Sequence, residues 1–552
     1  MRTNKPITRR HFLAYLGTGA ATLVTAASGL DSLLTGSGTA KASSLLFDQE
    51  TPVVTSGSLA GKPVSTDELT LPQGFRYDVI AAYGDVINAK GDTFGYDSAS
   101  AVFLPENGSR VKGLLYVDHE TSSPQWAHGS RSEGAYTAEQ INSCLYNQGA
   151  SVLEVYRGAD GRWRIDTASP AARRITGLDP FELTGPARGA AAVHGAVQVQ
   201  GTLGNRTGAV TLWGTVLTSE GSWDGTCHDA GLDPSHYGWA AEIDPADPAF
   251  KLRKHTALGR FRHSGAPMKL TRDGRAAVYM GDTAAESPLF KYISRGRFDE
   301  KRGTANSDLL TDGALYAADL ENGRWIELSV DAVKEVLRSP GLDLPHAVKY
   351  TQEQLQALFR EQADVLVHAA EAALLLGATP LGRQGDAALH PQDGSLYVSL
   401  VNTSVHGQIL RIVEEKGDAG ASAFEFEITA TGGPQSGFTS PGHLAFDRSG
   451  RLWIAADVAP DRLLRSAFRR YGSNGLYVLD LKAPAGSGVT PFASAPVGAA
   501  FASPAFTPGE QTLFLSVQHP GAASGEGTPQ VSSWPHLPGS TAPRSALVAV
   551  RG

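Results

Sequence analysis

Four phrases in this sequence share one grammar: a tight turn, then at once an apolar strand. They are Leu270–Tyr279, His390–Val398, Phe446–Ile454 and Phe506–Leu515. Gly274, Gly394, Gly450 and Gly509 supply the turns, and runs such as Leu396-Tyr397-Val398 and Leu452-Trp453-Ile454 supply the strands. The last three phrases recur roughly 60 residues apart, a period that fits one blade of a β-propeller. In that architecture each blade is a small sheet that buries its faces against its neighbours. The ring closes radially and turns one set of loops toward a central channel, where polar residues at strand ends converge.

The rest of the chain is consistent with this plan. Short strands are expected at Phe75–Ile80, Val102–Leu104, Gly113–Val117, Ser151–Tyr156, Arg162–Ile165, Ala209–Thr218, Ala240–Ile243, Ala276–Met280, Leu315–Ala318 and Trp325–Leu328. Turns at Glu106–Gly108, Asp244–Pro248 and Arg272–Arg275 separate several of them. Strands at such spacing fit a sandwich, barrel or propeller, and the repeated phrase favours the propeller, an all-β fold. Thr137 with Gln140 forms a capping-box pattern, so a helix is expected over Ala138–Asn147. Thr351 with Gln354 forms another. Leu355, Leu358, Ala363, Leu366 and Ala370 then predict one amphipathic helix reaching Gly377. With Val330–Leu337 it makes a helical insertion between blades, at about 330–377.

The N-terminus carries a targeting pattern. Thr8-Arg9-Arg10-His11-Phe12-Leu13 is a twin-arginine phrase, followed by a weakly apolar run to Leu30 and small residues at Ala40-Lys41-Ala42. The expected plan is a signal peptide over 1–42, an extended leader over 43–70 and one propeller over 71–552. The location is then periplasmic or secreted, with no stable membrane span after cleavage. The chain has 48 basic and 56 acidic residues, a net charge of −8, and no basic stripe. That balance argues against a nucleic-acid partner. Cys144 and Cys227 are the only cysteines, and nothing in their spacing decides between a disulfide and two thiols.

Thr211–Trp223, TLWGTVLTSEGSW, reads as an apolar strand ending on Thr218, Ser219 and Glu220. Gly113–Val117 likewise runs into Asp118-His119-Glu120. Carboxylates at strand ends facing turns are where a β-rich scaffold presents chemistry. Glu120 and Glu220 are therefore the leading candidates, since both strands should reach the same channel.

The mature chain also resembles the PhoX-type alkaline phosphatases. The match runs through Leu71-Pro72-Gln73-Gly74-Phe75, Gly113–Glu120, Arg174-Ile175-Thr176-Gly177, Gly201-Thr202-Leu203, Trp213-Gly214-Thr215, Tyr279-Met280-Gly281-Asp282 and Gln518-His519-Pro520-Gly521. The resemblance implies a six-bladed propeller. It implies phosphomonoesterase chemistry at an iron–calcium cluster held by carboxylates and a cysteine. Such chemistry needs hard cations, and these want several oxygen ligands at once. By the same resemblance Glu120, Glu220, Asp282 and Glu286 are candidate metal ligands, and Arg383 is the arginine placed beside the phosphate.

Several phrases of the family are altered. Arg383-Gln384-Gly385 replaces Arg-Pro-Glu, and Asp386 falls one residue late, which on a regular strand turns it to the other face. Arg206 stands where the cysteine is expected, and Gly221 where a second acid is expected. His263-Ser264, Ser440-Pro441-Gly442 and Ala499-Ala500 replace further ligand-bearing phrases. Each lost ligand leaves cationic charge uncompensated, so iron is disfavoured, while Arg206 can meet an anion directly. Three readings remain open. The first is a propeller without the cluster that binds a phosphorylated or other anionic small molecule, or a partner, at its channel mouth. The second is a calcium-dependent phosphoesterase with a reduced metal set, Glu220 and Arg383 acting in catalysis. The third is another hydrolase or lyase using His119, His443 or His519 as base.

Overall fold

The computed structural model describes residues 66–552 except 132–133, 464–465, 484–487, 523 and 525–528. The twin-arginine phrase and the expected signal peptide over 1–42 lie outside the described residues.

Six sheets follow one another along the chain as blades of a propeller. Blade 1 runs Ser98–Pro105, Lys112–His119, Gly149–Arg157 and Trp163–Ile165. In blade 2 the inner strand is Asn205–Val210, backed by Val216–Glu220 and Ala240–Ile243. Blade 3 is built around Arg275–Asp282, and blade 4 on Gln384–Leu389 and Leu396–Leu400. Blade 5 runs Pro441–Phe446, Leu452–Ala456, Gly475–Leu479 and Val489–Ser494. Blade 6 joins both ends of the described chain: Ala500–Phe501 and Leu513–Gln518 pair onward to Ala546–Arg551, which pairs with Arg76–Ala82. This antiparallel pairing closes the ring by placing both ends of the described chain in one sheet.

The repeated phrase marks one position in the blades. Arg275–Asp282, Leu396–Leu400, Leu452–Ala456 and Leu513–Gln518 are each the strand entered through it. Its apolar side chains fill the spaces between blades: Trp453 packs with Phe492, Phe501 and Leu515, and Tyr279 with Leu396, Val398 and Leu410. Burying one such side chain contributes about 1.5–3 kcal/mol.

Two expectations need correction. Ala209–Thr218 is not one strand. Thr211–Thr215 is a turn, closed by the Thr211 N–H donating to the Thr215 carbonyl at 2.9 Å, with Gly214 at φ 89°. The stretch after Thr351 forms three short helices, Gln352–Leu358, Gln362–Val367 and Ala369–Leu375, because Glu361 and Asp364 set up a fresh cap and His368 leaves helical geometry. At the described end of the expected leader, Leu69 is buried and Thr70 is bridged to Ser494. The insertion buries Leu366 and Ala369 in one cluster with Leu258, Phe261 and Leu315. No helix among the described residues is long and apolar enough to cross a membrane.

Candidate functional site

The second strand of five blades ends on a polar residue. Lys112–His119 leads into Glu120, Val216–Glu220 ends on Glu220 and Arg275–Asp282 on Asp282. Leu452–Ala456 leads into Asp457, and Leu513–Gln518 into His519. Arg206, on the inner strand of blade 2, gathers two of these acids. Its Nη1 donates to Glu120 Oε1 at 3.0 Å and its Nη2 to Asp457 Oδ2 at 3.1 Å. One guanidinium from blade 2 thereby ties blade 1 to blade 5, and the residue is only 4% exposed. Ser222 Oγ donates to Glu120 Oε1 at 2.7 Å, and Gln518 Nε2 to Oε2 at 3.4 Å. Arg383 Nη2 reaches the same Asp457 Oδ2 at 3.3 Å. His519 Nδ1 lies 3.3 Å from Asp97 Oδ1, and Thr121 Oγ1 donates to Asp97 Oδ2 at 2.6 Å. Asp97 and His519 both hold positive φ, 50° and 37°, a conformation that costs non-glycine residues energy and gathers at functional sites.

The electrostatics follow from this crowding. Burial works against the Arg206 charge, but Glu120 and then Asp457 overcome it and raise its pKa. Burial likewise opposes ionisation of Asp457, yet Arg206 and then Arg383 hold its carboxyl well below the usual range. Arg383 is pulled down, first by the charge of Arg206 and second by burial. His519 is lowered by burial but raised more by Asp97, Asp457 and Glu120, so its net shift is upward. Behind the cluster, burial and then Arg206 push His443 down to about 3, and burial pushes Asp386 up to about 6. Arg206 Nε and His443 Nε2 are buried and have no hydrogen-bond partner among the described residues.

Of the residues expected from sequence, Glu120 and Arg383 enter this cluster. The other three acids do not join them. Glu220 is fully buried and saturated: Oε1 accepts from Thr202 Oγ1, the Leu203 N–H and Lys254 Nζ at 2.9, 3.2 and 2.7 Å. Its Oε2 accepts from the Gly238 and Trp239 N–H groups at 2.9 and 3.1 Å. It is a structural clamp with no oxygen left over. Asp282, raised to about 6 by burial, accepts from the Ala284 N–H at 2.8 Å and Ser287 Oγ at 2.6 Å. Glu286 is 59% exposed and faces His346 at 3.8 Å. Among the described residues, no group of three or more His, Cys, Asp or Glu side chains is set to hold a metal ion.

Asp386 corrects a different expectation. The strand Gln384–Leu389 slips register against Leu396–Leu400 between Gln384 and Ala387. This bulge absorbs the extra residue. Asp386 Oδ2 then accepts from the Leu444 N–H at 3.1 Å and Ser503 Oγ at 3.2 Å, within electrostatic reach of Arg206. His443 shares Ser503 at 3.2 Å, whereas His119 spends both ring nitrogens on the Tyr96 carbonyl and Ser151. Cys144 and Cys227 are both free thiols. Asp97, Ser222 and Asp457 were not foreseen. Asp457 carried the same signal as Glu120, a carboxylate directly after a blade's second strand.

A family model and one solved structure point to the same relationship. A family model described as Alkaline phosphatase PhoX matches residues 56–521. PhoX of Pseudomonas fluorescens, solved in complex with vanadate, a transition state analogue, is similar at 27% identity and a TM-score of 0.75, over 89% of this chain and 97% of its own. A protein of unknown function from Dyadobacter fermentans is 11% identical with a TM-score of 0.37, over 87% of this chain and 99% of its own. A gluconolactonase from Xanthomonas campestris is 11% identical with a TM-score of 0.29, over 83% and 96%. No curated protein matches the chain in sequence.

Proposed function

The chain belongs to the PhoX alkaline phosphatase family, and from that premise we propose that its channel binds a phosphate-like oxyanion through Arg383 and Arg206, without the iron–calcium cluster that the resemblance implies. The observation that carries this reading is the placement of two guanidinium groups on one carboxylate oxygen, Asp457 Oδ2. Like charges held so close repel, and the lowered pKa of Arg383 has the charge of Arg206 as its first cause. A bound anion relieves that repulsion and can meet a planar guanidinium with paired hydrogen bonds. The vanadate seen in Pseudomonas fluorescens PhoX is itself a phosphate-like oxyanion, which supports the ligand class.

The donor set argues against the cluster. Arg206 stands where the family's sulfur ligand is expected, and a guanidinium carries a fixed positive charge and no lone pair for a metal. Glu120, the candidate ligand that does reach the channel, is already engaged by Arg206, Ser222 and Gln518. The calcium-dependent reading needs Glu120, Glu220, Asp282 and Glu286 to converge, and their hydrogen bonds hold them in separate surroundings. The twin-arginine phrase supports action outside the cytoplasm.

Isothermal titration of inorganic phosphate into the metal-stripped protein tests the proposal. Arg383→Ala removes a charged donor worth about 1.5–3 kcal/mol, so affinity should fall roughly tenfold to a hundredfold. Circular dichroism should be unchanged, because Arg383 is 37% exposed. Absence of phosphate binding by the wild type at millimolar concentration, or an unchanged Kd in the variant, overturns it.

A further inference from the structure

The two oxygens of Asp457 are not equivalent. Oδ2 accepts from Arg206 at 3.1 Å and from Arg383 at 3.3 Å. No hydrogen bond reaches Oδ1 among the described residues, and the side chain is 20% exposed, so this oxygen is open to a ligand that approaches Arg383. Two cations hold the carboxyl ionised, and an ionised carboxylate accepts hydrogen bonds but donates none. His519 lies within electrostatic reach of Asp457 and is oriented through Nδ1 by Asp97. The open face of the channel thus sets a donor, Arg383, beside one fixed acceptor, Asp457 Oδ1.

Tetrahedral oxyanions divide sharply before such a face. Hydrogen phosphate and the monoanions of phosphonates and phosphate monoesters carry a P–OH that can donate to Oδ1. Sulfate and phosphate diesters carry no proton near neutral pH. They would press a charged oxygen against the carboxylate, leaving both acceptors without a hydrogen. A site that demands a hydrogen bond rejects an analogue unable to make it far more strongly than a shape difference can. We propose that Asp457 is the specificity-determining residue of the channel, selecting phosphoryl oxyanions that retain a proton over sulfate and over phosphate diesters. This rests on the arginine-centred anion site above and adds to it the choice of anion.

The experiment is a calorimetric comparison at pH 7 and constant ionic strength, with inorganic phosphate, sulfate, methylphosphonate and dimethyl phosphate as probes of the full exported chain. Wild type should bind phosphate and methylphosphonate at least tenfold more tightly than sulfate or dimethyl phosphate. Asp457→Asn keeps an acceptor oxygen for the arginines but can turn a donor toward the ligand, so the phosphate-to-sulfate ratio should fall to within about threefold. Equal wild-type affinity for phosphate and sulfate, or an unchanged ratio in Asp457→Asn, overturns the assignment while leaving the arginine site standing. Binding of none of the four probes removes the arginine site and this inference together. The four-probe series on wild type decides the matter even where the variant fails to fold.

Discussion

Replacing Arg206 by Ala is the most informative single perturbation of this channel. Arg206 is 4% exposed and links Glu120 to Asp457. Removing one member of a buried ion pair costs about 3–5 kcal/mol, because the remaining charge loses its compensation. Both acids keep other partners here: Glu120 keeps Ser222 and Gln518, and Asp457 keeps Arg383. The lower end, about 3 kcal/mol, is therefore expected. Unfolding entropy of about 2 cal/mol/K per residue puts a chain of this length near 1 kcal/mol per degree, so Tm should fall by about 3 °C. The variant also faces two carboxylates toward the emptied position, a start on an oxygen-rich cation site. Millimolar calcium should therefore restore part of its Tm while leaving wild type unmoved. Scanning calorimetry at one scan rate, with chelator and then with calcium, reads both effects. A variant Tm within half a degree of wild type, or a wild type that loses stability with chelator, refutes the reasoning.

Glu220→Ala should cost about 3–5 kcal/mol in urea unfolding, since it strands the fully buried Lys254. Phosphate affinity of the folded fraction should stay within about twofold; a tenfold loss would return Glu220 to the site. Asp118 is buried with Oδ2 unpartnered, and burial raises it to about 7. Its folded pKa lies above the unfolded value, so the native state binds more protons between about pH 4 and 7, and stability from this group falls as pH rises through that window. Asp118→Asn should therefore gain on wild type from pH 5 to pH 8, and a constant difference would contradict the assignment. Gly201 has φ 64°, and a Cβ there would lie 2.1 Å from the Gly177 carbonyl oxygen. Gly201→Ala should lower stability by about 2 kcal/mol or more, and an unchanged urea midpoint would count against that close approach.

Much of the architecture was legible because it is local. The glycine turn and the apolar run after it fall within one phrase, and the four phrases occupy equivalent strands. The helix Ala138–Asn147 was fully specified by Thr137 and Gln140. The site was less legible because its partners are distant in sequence. Arg206 and Asp457 are 251 residues apart, and nothing near Arg206 announces which acids it will hold. Glu220 and Glu120 share the same strand-end signal, yet Lys254 and four other donors claim one while the channel receives the other. A bulge decided the facing of Asp386, and alternation along a regular strand cannot anticipate it.

The most direct test of the central claim is titration of inorganic phosphate into wild-type protein before and after exhaustive chelation, with iron and calcium measured in both samples. The arginine-centred channel predicts one site whose affinity is unchanged by chelation and by the metal content found. Phosphate binding that disappears with the metal, and returns only when iron or calcium is restored, would contradict it.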